Sequence, residues 1–467
     1  VNVAVPIALF GWPLVALFLF GTMSVRRATA WAFIAAWLFL PISGFKVSGI
    51  PGYDKSAAAG YSVLLGLLVF HPRLLLSLRP RLVDLPAFCL LVVPFGSSMS
   101  NGLGPYDGLS ATFQSGVSWF LPYVCGRAVF RSVEDLFDVA NVIFLGGMAY
   151  VPFCLYEIRM SPQLNMMVYG FAQHSFLQTI RFGGYRPMVF MQHGLAVGLW
   201  MGMATVCGYW LWRTKRLARW GRFRLSGAVA LLAVTFVLCK STGAIALATL
   251  AIISLEAGRR MARPWVVLAF VLAAPVFLAG RIAHVWDARS LVDFTSQNVG
   301  ADRAQSLDFR LDNEDKLMAK ALQQPLLGWG GWGRNRIYND AGRDISVTDG
   351  LWIILLGTSG LIGLASFVGM LTIGPVLLLA PAIRGKVARS PVVEVLAVVL
   401  ACFLIDCIPN AMPNPTFVAL AGGMCSAALA RRSPVAGVRR AVLLRGRAVA
   451  VADRRPTPAV RGPRFLG

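Results

Sequence analysis

Apolar residues in this chain come in long runs and seldom alternate with polar ones. VPIALFGWPLVALFLF (5–20), AFCLLVVPF (87–95), VVLAFVLAAPVFLAG (266–280) and VVEVLAVVLACFLI (392–405) are the clearest. A helix needs roughly 20 apolar residues, with a range of about 17–25, to cross the hydrocarbon of a bilayer. About thirteen runs, several of them shorter than this, are candidate spans, near 4–21, 29–42, 57–70, 84–98, 111–126, 138–156, 187–212, 226–239, 243–257, 264–280, 350–380, 391–408 and 415–430. Backbone in lipid must satisfy its own hydrogen bonds, so the runs predict helices. The expected fold is all-α, a polytopic membrane bundle with one sizeable loop.

That loop, 281–349, breaks the apolar pattern, carrying ten acidic and nine basic residues. Within it, 304–324 places Leu307, Leu311, Met318 and Leu322 at helical spacing, which predicts an amphipathic helix stopped by Pro325. GWGGWG (328–333) follows. As G-x-G-x-x-G it matches the dinucleotide fingerprint, but that motif requires a preceding strand and a βαβ unit. Here a helix terminator precedes it, so the glycines predict a tight turn. Trp329 and Trp332 suit either the membrane interface or stacking on a ligand ring.

Composition agrees with the pattern: 57% of residues are hydrophobic and only 14% charged, against about 25% charged in soluble domains. The net charge of +23 raises nucleic acid as a partner. Its distribution rejects that reading. With the N-terminus outside, the short inner loops carry 19 Lys and Arg and the short outer loops 6, the asymmetry of the positive-inside rule. This orientation places 157–186 and 281–349 on the outer face of the membrane and the C-terminus in the cytoplasm. The resulting divisions are N-terminal helices (1–186), middle helices (187–280), the outer loop (281–349), C-terminal helices (350–430) and an Arg- and Pro-rich tail (431–467) drawn to anionic lipid. The first span shows no cleavage site and is expected to be retained. The eight cysteines lie in or beside spans without a C-x-x-C pair and read as small apolar residues.

Candidate chemistry gathers on the outer face. Pro187 suits a first helical position, which puts Arg186 at the membrane lip and His193 on nearly the same helical face. Lys240 lies in the tight turn CKSTGA (239–244). Arg303 and Arg310 flank the start of the loop helix, Asp349 precedes the next span, and Asp406 is near the outer end of its own. Each has a plainer reading. Arg186 and Lys240 can anchor at headgroups, His193 can be a satisfied core residue, Arg310 can pair with Glu314 at i,i+4, and Asp349 can be an N-cap. An acid such as Asp406 inside a membrane is usually functional or paired. Together, Arg186, Lys240, Arg303 and Arg310 suit a diphosphate, which guanidinium binds in bidentate fashion. A carboxylate beside them can take a proton from an attacking hydroxyl.

Three segments resemble the O-antigen ligase and O-antigen polymerase superfamily of bacterial envelope proteins. They are YRPMVFMQHGLAVG, CKSTGAIALATLAI, and FRLDNEDKLMAKALQQPLLGWGGWGR followed by TDGLWIILLGTSGLIGL. The resemblance covers roughly 170–380. It implies a multi-helix glycosyltransferase whose donor is a glycan on undecaprenyl diphosphate, with no metal or other cofactor, and with Arg186 and Arg310 on the diphosphate. The family's loop histidine falls on Asp349, a weaker base, and the asparagine after it is replaced by Gly350. Other polysaccharide-assembly proteins are the partners this implies. The competing readings are a flippase or transporter of lipid-linked glycan, which predicts internal repeats and broken helices, and a non-catalytic scaffold.

Overall fold

In a computed structural model, residues 2–432 are described apart from 48–49, 218, 221–222, 286–291, 294–295 and 298–299. The basic tail expected from the sequence falls almost wholly outside these residues. The protein is mostly helical. The first half contains α1 Ala4–Thr22, α2 Val25–Phe39, α3 Lys55–Phe70, α4 Pro72–Leu76, α5 Leu85–Ser100, α6 Gly104–Ser115, α7 Leu121–Val129, α8 Val133–Met160 and α9 Leu164–Tyr169. The second contains α10 Gly194–Arg213, α11 Leu225–Leu238, α12 Thr242–Arg260, α13 Trp265–Ile282, α14 Ala301–Ala321, α15 Leu351–Ile383, α16 Pro391–Asp406 and α17 Pro415–Arg432. Three small antiparallel hairpins interrupt them: β1 Gly44–Val47 with β2 Ile50–Asp54, β3 Ile180–Arg181 with β4 Gly184–Tyr185, and β5 Arg219–Trp220 with β6 Phe223–Arg224.

Each of the thirteen apolar runs contains helix. Among the described residues, seven helices (α1, α5 with its leading turn, α8, α10, α12, α13 and α15) are long and apolar enough to cross a membrane. The run at 111–126 is not one α-helix, because a π-helical segment, Gly116–Phe120, joins α6 to α7.

Helices that are apolar all round must be buried or face lipid, and both kinds occur. Every residue of α16 from Val392 to Leu404 is buried, which makes it the central pillar. Peripheral α1 buries Val5, Leu9, Trp12, Ala16 and Phe20 but leaves Ile7, Leu14 and Phe18 about two-thirds exposed. Such an apolar exterior is stable in a bilayer and not in water. Small residues set the closest crossing. A Cβ on Gly126 would overlap the Ala419 carbonyl and one on Gly422 the Tyr123 carbonyl, so α7 and α17 touch backbone to backbone.

Polar contacts between loops fall into two sets, one at each end of the bundle. At one end, Lys55 donates to the Phe190 carbonyl, Lys240 to that of Arg181, and Arg334 to that of Asn101. At the other, Arg26 pairs with Asp135, Arg127 with Asp84 and Arg213 with Glu256. No ion pair among the described residues joins one set to the other.

The amphipathic helix of the loop is α14. It starts three residues before the expected 304 and ends at Ala321, short of Pro325. Met318 faces the core as expected; the side chain of Leu307 lies outside the described residues. GWGGWG follows this helix, with no strand leading into it and no helix opening at its end, so it has no βαβ setting. It docks on a feature that hydropathy did not reveal: α15 is broken at Gly360, where φ is +65° and ψ −166°. The break frees backbone groups in an apolar helix, where each unpaired group is costly. PLLGWG supplies the partners. Leu361 N–H donates to the Pro325 carbonyl at 2.7 Å and Ile362 N–H to Leu326 at 3.3 Å. In return Trp329 N–H donates to the Gly357 carbonyl at 2.8 Å and Gly330 N–H to Thr358 at 3.0 Å. Ser97 Oγ and Asn101 Nδ2 of α5 close the joint on the carbonyls of Thr358 and Gly328.

Candidate functional site

The sequence placed Arg186 and His193 one above the other on a helix led by Pro187. The structure corrects this. Residues 187–193 are not helical, and α10 begins at Gly194. Arg186 directly follows the β3–β4 hairpin, whose turn residues Phe182 and Gly183 both have positive φ, as a two-residue type I′ connection requires. Arg186 is buried. Its backbone N–H donates to the Thr179 carbonyl and its guanidinium to the Lys240 carbonyl at 3.1 Å. The side chain lies so close to the first turn of α10 that a Cβ on Gly194 would overlap it. The carboxylate of Glu157 fixes the next turn by accepting from Leu164, Met188 and Val189 N–H at 2.7–3.0 Å.

His193 caps α10, with Nδ1 accepting from Leu195 N–H at 3.0 Å. The ring proton is therefore on Nε2, which bonds Gln178 Oε1 at 3.2 Å. Lys240 sits as expected in a tight turn, with φ +52°, and its ammonium donates to the Arg181 and Phe182 carbonyls. The structure thus brings Arg186, Lys240 and His193 together around one hairpin.

Arg310 is elsewhere, and its ion pair is not with Glu314. Its Nε lies 3.5 Å from Asp349 Oδ2, both side chains being nearly half exposed. Asp349 is not the N-cap of α15; Gly350 is. A Cβ on Gly350 would overlap the Ile408 carbonyl oxygen, so the asparagine of the resembled motif does not fit here. Leu351 N–H bonds the carbonyls of Cys407 and Asn410, which ties the start of α15 to the end of α16. The side chain of Arg303 lies outside the described residues.

Glu314 was missed as a site residue. It lines the same cavity of about 170 Å³ as Arg310 and Asp349, together with Phe277, Ile408 and Pro409. Its carboxyl accepts from the Trp352 indole at 3.4 Å and lies 4.0 Å from the buried Arg281, which also holds Asp315 at 2.8 Å. Burial outweighs these partners and raises its pKa to about 7. The i,i+4 spacing to Arg310 was legible. The signal that pointed inward, Trp352 arriving from another helix, was not.

A second, larger cavity of about 470 Å³ is an apolar groove among α12, α13 and α16. Ala244, Leu247, Leu250 and Ala274 form its walls. Ser241, whose buried Oγ has no hydrogen-bond partner among the described residues, stands at its rim beside Lys240. Asp406 lines it too and accepts from Asn410 Nδ2 at 2.9 Å. The groove and the Arg310 cavity are neighbours, with Phe277, Ile408 and Pro409 lining both.

No protein-family model matches the chain, and no curated protein matches it in sequence. Its function is read from the site.

The two tryptophans of the turn differ. Trp329 donates its indole N–H to the Lys320 carbonyl at 2.8 Å and takes the Lys320 ammonium over its ring at 4.0 Å. Trp332 is 79% exposed with φ +63°. Neither lines either of these two cavities.

Proposed function

We propose that the chain is a membrane glycosyltransferase of the O-antigen ligase and polymerase type, which moves a glycan from undecaprenyl diphosphate to an acceptor hydroxyl during surface polysaccharide assembly. One observation carries this reading: an apolar groove between helices adjoins, across Phe277, Ile408 and Pro409, a cavity whose wall holds an arginine and two carboxylates. A substrate with a long hydrocarbon tail and a charged head suits such an adjacent pair. In this reading the chain crosses a bacterial inner membrane thirteen times, its N-terminus and α14 lie outside, and its C-terminus is cytoplasmic.

The chemistry is a displacement at the anomeric carbon. The acceptor hydroxyl gives its proton to a carboxylate, its oxygen bonds the anomeric carbon, and the bond to the diphosphate breaks. Arg310 takes up charge on the leaving diphosphate. Arg186 and Lys240, at the Ser241 end of the groove, contribute field there. Asp349 is the base that the resemblance implies. Glu314 is the alternative on the cavity wall, and a pKa near 7 suits a base at neutral pH.

The helix break at Gly360 favours a transporter as the second reading, because transporters use broken helices to hold substrate. In transporters the freed backbone groups face the ligand. Here PLLGWG occupies them at 2.7–3.3 Å, which supports a structural joint.

Photolabelling tests the reading. Purified protein in nanodiscs is irradiated with a polyprenyl diphosphate oligosaccharide carrying a photoreactive tail. Labelling is expected in α12 and α13 on the groove walls. Labelling spread evenly over the outer faces of α1 and α11 would overturn it.

A further inference from the structure

A separate polar cavity of about 350 Å³ opens at the opposite end of the bundle from Asp349. Trp210, Arg213, Lys215, Arg259, Arg389 and Glu394 line it. It is built where the last turns of α10 and α12 meet the start of α16, and each junction is pinned. The Trp210 indole donates to the Pro391 carbonyl at 3.0 Å. The guanidinium of Arg389 donates to the Gly258 carbonyl at 2.6 Å and grips both oxygens of buried Glu394 at 2.8 Å. Glu256, from the adjoining turn of α12, accepts from Arg213 at 2.9 Å and from Tyr209 at 2.8 Å.

The charges do not balance. Four cations face two carboxylates, and those carboxylates are already held by Arg389 and Arg213. Lys215 makes no ion pair among the described residues, and Arg259 has only a 3.8 Å approach to Glu256. A preformed, cation-rich hollow between helix ends fits a phosphate group, whose oxygens accept several such donors. Its place at the ends of α10 and α12, both long and apolar enough to cross a membrane, points to a lipid headgroup. Trp265, 51% exposed at the start of α13, sits at this same end, as interfacial tryptophans do. Basic pockets between helices at a membrane surface take acidic headgroups.

We propose that this cavity binds the phosphate of an anionic phospholipid. The site is independent of the glycosyltransferase reading and lies at the other end of the molecule.

The test uses the full chain, purified in neutral detergent and titrated with phosphatidylglycerol, phosphatidylcholine or inorganic phosphate, with binding read by native mass spectrometry. The variants are Lys215→Gln with Arg259→Gln, and Arg263→Gln, an exposed basic residue of the same end outside the cavity. Both leave the Arg389–Glu394 and Arg213–Glu256 pairs in place, and gel-filtration profiles check their folding. Phosphatidylglycerol is expected to bind in preference to phosphatidylcholine, about tenfold or more weakly in the double variant, and unchanged in Arg263→Gln. Equal weakening in both variants would overturn the site in favour of a diffuse basic surface. Inorganic phosphate displacing the lipid at equal concentration would overturn the lipid as its ligand.

Discussion

The joint between PLLGWG and the broken α15 makes a prediction that needs no substrate. Gly328 has φ +71°, and a Cβ there would lie 2.6 Å from Gly360 N, 2.7 Å from Ser359 N and 2.7 Å from the Thr358 carbonyl carbon. All three atoms are backbone, so no side chain can swing aside. In Gly328→Ala, the left-handed conformation alone costs about 1–2 kcal/mol. Relieving the overlap requires the segment to lift. Losing two of the four backbone hydrogen bonds across the joint, at about 1 kcal/mol each, adds about 2 kcal/mol. The total, about 3–4 kcal/mol, corresponds to a several-hundredfold larger open population. Gly331, in the same motif, is the internal control: it has no positive φ, and a Cβ there meets nothing within 4 Å. Gly331→Ala should change stability by about 0.5 kcal/mol or less. Hydrogen exchange followed by mass spectrometry, on protein in detergent, reads the joint at Trp329, Gly330, Leu361 and Ile362. Exchange there should accelerate at least a hundredfold in Gly328→Ala and stay at the wild-type rate in Gly331→Ala. Equal protection in both variants, or equal loss, would refute the reasoning.

Other perturbations follow from single interactions. Glu314 holds its proton more tightly folded (about 7) than unfolded (4.5), so its contribution to stability is complete below about pH 4.5 and is lost as pH rises through 7. Thermal unfolding of Glu314→Gln against wild type should show the variant gaining relative stability across that window and no further above it; parallel curves would contradict this. Glu157→Gln leaves one of the N–H groups of Leu164, Met188 and Val189 without an acceptor, for a loss of about 2 kcal/mol in denaturant unfolding. Arg127→Met strands Asp84 beside Tyr123 and should cost about 3 kcal/mol, with Asp84→Asn recovering part of it in the double variant.

Much of the architecture was legible because hydropathy and helical periodicity report on the solvent each face meets. All thirteen apolar runs carry some helix, seven helices among the described residues are long and apolar enough to cross a membrane, and α14 lies within a few residues of its expected place. What stayed hidden depends on contacts between distant segments. In LGTSGLIG the break at Gly360 looks like ordinary apolar helix, and only PLLGWG, some 30 residues earlier, makes it tenable. The hairpin before Arg186 was hidden because Pro187, read as a helix start, instead begins a seven-residue turn anchored by Glu157. The site was legible in part. Lys240 and Arg186 lie in contact, whereas Arg310, which the sequence reading grouped with them, pairs with Asp349 across the loop and not with Glu314, its plainer helical partner. Glu314 is a cavity residue only because Trp352 and Arg281 approach it from two other helices.

If the adjacent cavities transfer glycan from a lipid diphosphate, their charged side chains carry the step. Its most direct measurement replaces the gene in the native host with wild type, Arg310→Ala, Asp349→Ala or Glu314→Gln, verifies membrane levels, and profiles lipid-linked and surface glycans by mass spectrometry. The account predicts that Arg310→Ala accumulates lipid-linked glycan and loses mature polymer, and that at least one of the two carboxylate variants does the same, which identifies the base. Normal polymer in all three variants, with loss only when the gene is deleted, would contradict it.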